Sequence, residues 1–272
     1  MYLKRLLRPV IRQLDDRTPA LAAVLRWHRA ARGGAVVQPL VDKLVRPGNV
    51  ALDIGASRGL FTARLLQLVG DSGEVHAFEP YPVHVQRLRK IAARRRNLQV
   101  HAVALSDRSG EGQLMVPVVD GRPYEGMGSL EDPRMKLGSG AETIDVALAR
   151  LDDVVGDRRV DFVKCDVEGH EDFVFKAAEH VLAQRPVILV EIEQRHRGTD
   201  PRVLINQLEG TGLRGWAVFA DGLRPATEFD LERDQLRFLA GATGESMPAG
   251  YVNDFLFTPP DTDVTPFLAK YA

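Results

Sequence analysis

The spacing of apolar residues changes once along this chain, and the change divides it. Leu3, Leu6, Leu7, Val10, Ile11 and Leu14 recur at close to 3.6 residues with Lys4, Arg5, Arg8 and Arg12 between them, which predicts an amphipathic helix. A second helix is expected over Pro19 to Arg32, stopped by Gly33-Gly34. From Val50 short apolar runs alternate with helical stretches, the pattern of a mostly parallel sheet covered on both faces. Strands are predicted over Val50 to Ile54, Glu74 to Phe78, Gln99 to Ala104, Asp161 to Cys165 and Val187 to Ile192. Glu171 to Ala183 reads as one helix and Pro201 to Glu209 as a shorter one. Gln113 to Val119 looks like an inserted strand, followed by a long loop from Asp120 to Gly140. Trp216 to Ala220 and Tyr251 to Thr258 form an expected antiparallel pair at the far edge. The whole predicts a doubly wound α/β domain over residues 46–272 with a helical extension over residues 1–45.

Composition narrows the class. A chain of 272 residues, 44% hydrophobic and 27% charged, can bury a substantial core. Its net charge is -1, although the first 35 residues hold eight Lys/Arg against two Asp. No broad basic footprint is present, which excludes a dedicated nucleic-acid binder. Cys165, the single cysteine, lies in an apolar run, so no internal disulfide forms and a reducing compartment is expected. Basic residues interrupt every apolar stretch near the start, and no run is long enough to cross a bilayer, so a cytoplasmic location is the default. The basic N-terminal helix has three uses open to it: packing on the domain, pairing with a second subunit, or lying on an anionic membrane surface.

Two motifs carry chemistry. The first, Leu52-Asp53-Ile54-Gly55-Ala56-Ser57-Arg58-Gly59, joins the first strand to its helix. Glycines there permit a tight turn and close approach of a ligand to backbone. The spacing is G-x-x-x-G rather than G-x-G-x-x-G, and Asp53 precedes it. An acid at that point repels a pyrophosphate but attracts the ammonium and sulfonium of S-adenosylmethionine. Glu79, at the end of the second strand in Phe78-Glu79-Pro80, is placed to accept from both hydroxyls of a ribose. Ser106 and Asp107, after the third strand, are candidate adenine contacts or a helix-cap turn. The first motif and Glu79 alone are also compatible with an NAD-dependent oxidoreductase or with a non-catalytic scaffold.

The second motif is Lys164-Cys165-Asp166-Val167-Glu168-Gly169-His170-Glu171. With a period of two, Phe162, Lys164 and Asp166 share one side of their strand, and Cys165 faces the other. Buried apolar sequence thus delivers ionisable groups to the carboxyl end of the sheet, where open α/β folds bind ligands. A hydroxyl attacking a methyl carbon must lose its proton. Asp166 or His170 can accept it, with Lys164 holding Asp166 ionised or neutralising charge on the acceptor. Alternatively Asp166 and Glu168, with Glu191 from the next strand, are hard oxygen ligands suited to Mg2+. Glu191 is otherwise an acceptor contact, and Glu193 and His196 belong to an adjacent loop. Asn253 and Asp254 interrupt the apolar sequence of the last strand.

Taken in order, Asp53-Ile54-Gly55-Ala56, Phe78-Glu79-Pro80, Ser106-Asp107, Thr143-Ile144-Asp145, the Lys164 to Glu171 block, Glu191-Ile192 and Asn253-Asp254 resemble the FkbM-type methyltransferases. The resemblance implies a seven-stranded, mostly parallel sheet of the class I methyltransferase type with an antiparallel edge. It also implies an S-adenosylmethionine-dependent O-methyltransferase acting on a small or carbohydrate acceptor: a sugar, glycolipid or secondary metabolite. It carries cofactor binding to Asp53, Gly55 and Glu79, with Ser57 and Gly59 in the same turn, and puts Asp166 and Glu168 at the active rim. Ser57 stands where that family usually has Asn, which points to different hydrogen bonding at the cofactor's amino-acid end.

Overall fold

A computed structural model of the chain describes residues 18–32, 36–119, 122–123, 128–130, 140–239, 248 and 250–269. The segment from Leu3 to Leu14, the Gly33-Gly34 stop and most of the Asp120 to Gly140 loop lie outside them. The strands in chain order are β1 (Val50–Ile54), β2 (Glu74–Phe78), β3 (Leu98–His101), β4 (Ala104–Leu105), β5 (Gly110–Val119), β6 (Arg122–Pro123) and β7 (Ala141–Ala149). They continue as β8 (Phe162–Cys165), β9 (Val187–Glu191), β10 (Arg214–Phe219), β11 (Gly222–Pro225) and β12 (Asp254–Thr258).

One sheet has eight strands in the order β11-β10-β12-β9-β8-β1-β2-β3. From β9 to β3 its strands are parallel, while β12 runs antiparallel between β9 and β10. The expected seven strands are therefore eight in a mixed sheet. The additional strand, β11, returns from β10 through a tight hairpin, and Leu223 is its only large apolar residue besides Pro225. It takes the edge. The β10–β12 pairing is as expected, but β12 lies inside the sheet because Phe255, Leu256 and Phe257 are buried on both of its faces.

A second sheet, of order β4-β7-β5-β6, leaves the first at Ala104. Its centre is the antiparallel pair β5 and β7, matched from Gly110↔Leu148 to Pro117↔Ala141. The third strand expected through Ala104 ends instead at His101, and the two residues of β4 pair with β7. The single helix expected from Glu171 to Ala183 is two, Glu171–Lys176 and Glu179–Ala183. Asp152 causes the break: its N–H takes the Ala177 carbonyl, and its carboxylate caps the second helix by accepting from His180 and Val181 N–H.

Strand alternation sorts the core of the large sheet. Ala51, Phe162 and Leu189 pack on one face with Leu65, Leu88 and Trp27 of the N-terminal helix Pro19–Arg32. Leu52, Ile54, Val163, Cys165, Ile188 and Val190 pack on the other. Extending the first set toward the carboxyl ends of the strands puts Asp53, Lys164, Glu191 and, from the antiparallel β12, Asp254 on one face of one rim.

Candidate active site

The turn after β1 is folded onto itself. Gly55 and Ala56 N–H both donate to the Phe78 carbonyl at 3.0 Å, and Gly59 N–H donates to Ala56 at 2.8 Å. Ser57 N–H donates to the Glu79 carboxylate at 2.7 Å. The other Glu79 oxygen accepts from Tyr81 N–H at 2.8 Å, so the carboxylate is fixed with an acceptor direction left on each oxygen. The Gly55 requirement is steric: φ is +76°, and a Cβ would sit 1.8 Å from the Asp166 carbonyl oxygen. Gly59, at φ +78°, packs against Leu88 and Ile91. Both glycines thus answer to protein packing first.

A half-open cleft of about 820 Å³, counting space open to solvent, lies beside this turn. Gly55, Ser57 and Glu79 line one side, Val103 to Leu105 a second, and Asp166, Glu168 and His170 a third. Leu114, Val116 and Leu130 reach in from the second sheet. Ser129 ties that sheet to the third side by donating to the Glu168 carbonyl at 2.7 Å.

Behind the cleft is the ionised rim. Asp53 is buried and accepts from the Thr62 hydroxyl; burial pushes its carboxyl up to about 6 against the pull of Thr62 and Lys164. Lys164 is also buried, with its ammonium 3.2 Å from Asp166 and 5.1 Å from the centre of the Phe61 ring. Burial opposes its charge, but Asp166, Asp254 and Glu191 outweigh that and raise its pKa. Burial would likewise raise Asp166, yet Lys164 and a hydrogen bond with Glu191 hold it below the usual carboxylate range. Glu191 goes the opposite way, raised by burial and by the neighbouring Asp166. One of this pair is therefore ionised and the other protonated. Burial and nearby acids also push Asp254 up, to about 6.

Glu168 turns away from that group. It adopts φ +55° ahead of Gly169 at φ +102°, and its carboxylate meets His196 Nδ1 at 2.6 Å. Burial works against charge on His196, but Glu168 and then Glu193 raise its pKa. Asn253 donates to both Glu191 and Glu193. The buried Gln235 secures this loop by donating to the carbonyls of Ile192 and Val252, at 2.7 and 2.8 Å.

The structure brings together Gly55, Ser57, Glu79, Asp166, Glu168 and His170 on the cleft, with Lys164 behind Asp166. Asp53, Gly59, Ser106 and Asp107 are not among the cleft-lining residues. Asp53 is buried behind the turn with the Thr62 hydroxyl donating to its carboxylate. Ser106 is hydrogen-bonded to His170 Nε2 at 3.0 Å and Asp107 to Lys176 at 3.0 Å; β5 rather than a helix follows them, so neither caps a helix. Among the described residues no group of three or more His, Cys, Asp or Glu side chains is arranged to hold a metal ion. Of the three residues expected for Mg2+, Glu168 pairs with His196 while Asp166 and Glu191 hydrogen-bond each other. Sequence reasoning missed Thr62, Ser129 and Gln235. A hydroxyl nine residues after Asp53, in the first turn of the next helix, was the one usable sign.

The model of the methyltransferase FkbM domain family matches residues 53–214. No curated protein matches the chain. Among solved structures, methyltransferase FkbM from Methylobacillus flagellatus KT is similar at 17% identity and TM-score 0.48, covering 92% of this chain and 58% of that one. Aeropyrum pernix fibrillarin with natively bound S-adenosyl-L-methionine is similar at 15% identity and TM-score 0.44, covering 84% and 74%. A SAM-dependent O-methyltransferase from Thermotoga maritima is similar at 12% identity and TM-score 0.41, covering 82% and 64%. The chain thus spans little more than half the length of the FkbM structure.

Proposed function

The chain belongs to the methyltransferase FkbM family, and from that premise we propose that it transfers a methyl group from S-adenosylmethionine to a hydroxyl oxygen of a sugar, glycolipid or secondary metabolite. The observation that carries the cofactor reading is the Glu79 carboxylate fixed across the turn by Ser57 and Tyr81 N–H groups. It occupies the N–H that a dinucleotide's phosphate would need, and Gly55, Ala56 and Gly59 N–H groups are also bonded within the protein. An anionic pyrophosphate finds those four N–H groups already bonded and a carboxylate beside them, whereas a neutral ribose finds two carboxylate acceptors. This argues against the NAD-dependent alternative.

When bound, S-adenosylmethionine supplies a methyl carbon on a positively charged sulfur. Asp166, a third exposed toward the cleft, is assigned the proton leaving the attacking hydroxyl. Lys164 keeps it ionised beforehand, and protonated Glu191 steadies it by donating a hydrogen bond. His170 is assigned to the wall of the cleft, since Nε2 is bonded to Ser106 and its ring stacks on Phe173. No step is routed through a metal.

Isothermal titration with S-adenosylmethionine and with NAD tests the reading. Micromolar binding of the first alone is expected, and Glu79→Ala should weaken it by about 30-fold, or roughly 2 kcal/mol for hydrogen bonds to a charged acceptor. NAD binding would establish the rival enzyme class, binding of neither a scaffold, and undiminished affinity in the variant would remove Glu79 from the ribose.

A further inference from the structure

Charge on the cleft is one-sided. Its lining includes the carboxylates of Glu79, Asp166 and Glu168 but, among the described residues, no Lys or Arg. The Lys164 ammonium lies behind Asp166 at 3.2 Å and is shared between Asp53, Asp166, Glu191 and Asp254. Arg195 and His196 answer Glu193 and Glu168 in the adjoining loop. At neutral pH Asp53, Asp254 and one carboxyl of the Asp166–Glu191 pair are mostly ionised against that single ammonium. The rim therefore holds more negative charge than positive, and it meets the cleft at Asp166. A ligand that brings a cation is favoured there, and one that brings none gains nothing from the surplus.

We infer that this surplus of carboxylate makes the cleft discriminate by charge between S-adenosylmethionine and S-adenosylhomocysteine, the neutral thioether left after transfer. The inference rests on the methyl-transfer reading and adds to it how the spent cofactor is exchanged. In the transfer the hydroxyl oxygen bonds to the methyl carbon, the C–S electron pair stays on sulfur, and the hydroxyl proton passes to Asp166. Positive charge leaves the donor and negative charge leaves the base in the same step. Asp166 is a third exposed, so it can return that proton to water, and the cleft then regains a charge that the thioether cannot balance. A fresh cation is favoured over the product. Asp166 and Glu191 act here as a unit, because they share one proton: Asn at position 166 leaves Glu191 to ionise, and the charge of the pair survives. Only replacement of both removes it.

The test is isothermal titration of the full chain with three ligands that differ only around the transferring atom. S-adenosylmethionine has a sulfonium there, sinefungin a carbon bearing a protonated amine, and S-adenosylhomocysteine a neutral sulfur. At about pH 7.5 both cations should bind at least about ten-fold more tightly than the neutral compound, the scale of one charge felt across roughly 10 Å of protein. Acid should erase the preference. By about pH 5 Asp53 and Asp254, at about 6 in the fold, are mostly protonated, and the ratio should fall below about three. Lys164 and Asp166 face both of those carboxyls and Glu193 faces Asp254, while Glu168, raised by burial, and His196 beside it change charge in the same sense. Asp166→Asn/Glu191→Gln should lower the ratio similarly at about pH 7.5. Circular dichroism checks that this variant folds, and if it does not, the acid series on wild type decides. Equal or tighter binding of S-adenosylhomocysteine, or sinefungin binding like the neutral compound, overturns the inference and leaves the cofactor reading in place. So does a ratio unmoved by acid or undiminished in the folded variant. Binding of none of the three overturns both.

Discussion

The cleft lies between two sheets that solve different problems. At the rim of the eight-stranded sheet, Asp53, Lys164, Asp166, Glu191 and Asp254 share one face, and each is shifted by burial and by its neighbours. The second sheet faces the cleft with Leu114 and Val116, and Val146 and Leu148 pack beside them on the same face. Preorganised charge is confined to the sheet whose strands are buried on both faces, where it is worth most. The thinner sheet supplies apolar cover, which keeps water away from that charge.

The largest expected effect follows from that division. Asp166→Asn removes the carboxylate assigned to accept the hydroxyl proton while preserving shape, so turnover should fall by about 1,000-fold, within the range for loss of a general base. S-adenosylmethionine affinity should change less than about three-fold. Measured kcat and titrated Kd separate the two, and wild-type turnover in the variant would transfer the proton-accepting role elsewhere.

A second contrast concerns rigidity. A Cβ on Gly55 would lie 1.8 Å from the Asp166 backbone oxygen, whereas one on Gly112 of β5 would meet only Leu148 side-chain carbons at 2.9–3.1 Å. Backbone cannot step aside without moving β8, but a leucine can change rotamer. Gly55→Ala should therefore cost about 3 kcal/mol or more in urea denaturation, and Gly112→Ala about 1 kcal/mol. Comparable losses would mean that the two sheets are equally unyielding.

The same difference explains what was readable in advance. The large sheet announces itself because its strands are continuous apolar runs, and the period of two that puts Lys164 beside Asp166 also puts Asp53, Glu191 and Asp254 on their side. Glu79 was legible from its place at the end of β2. The second sheet was half-hidden: Ile144, Val146 and Leu148 alternate with polar or small residues, the mark of a one-faced strand, yet no strand was predicted over Ala141–Ala149. Hidden altogether were contacts that depend on where a chain turns. Asp53 could not be known to face Thr62, nor Ser106 to face His170, because neither partner is fixed by strand period. Glu168 likewise leaves the Asp166 side because its own backbone is left-handed, a conformation that the residue type does not announce.

The large sheet also contains a buried polar pair of the opposite kind, at β2 and β3, which gives the smallest effect. His76 Nδ1 and His101 Nε2 are 3.1 Å apart, so one donates and the other accepts. Burial lowers both; His76 and Arg158 add to the fall at His101, which reaches about 4. Between pH 6.5 and about 4 the unfolded chain takes up protons that this folded pair resists, so its contribution to stability is intact above 6.5 and is lost across that window. The rim works in the other sense, since Asp53 and Asp254 at about 6 lose buried charge as pH falls. The difference between wild type and His101→Gln therefore isolates the histidines. The variant should lose about 1–2 kcal/mol less than wild type from pH 6.5 to 4, a figure reduced by the partial solvation of His101. Parallel urea-midpoint curves for the two proteins would show that the pair is protonated in the fold, and that buried polar groups at the edge of the sheet are charged as they are at the rim.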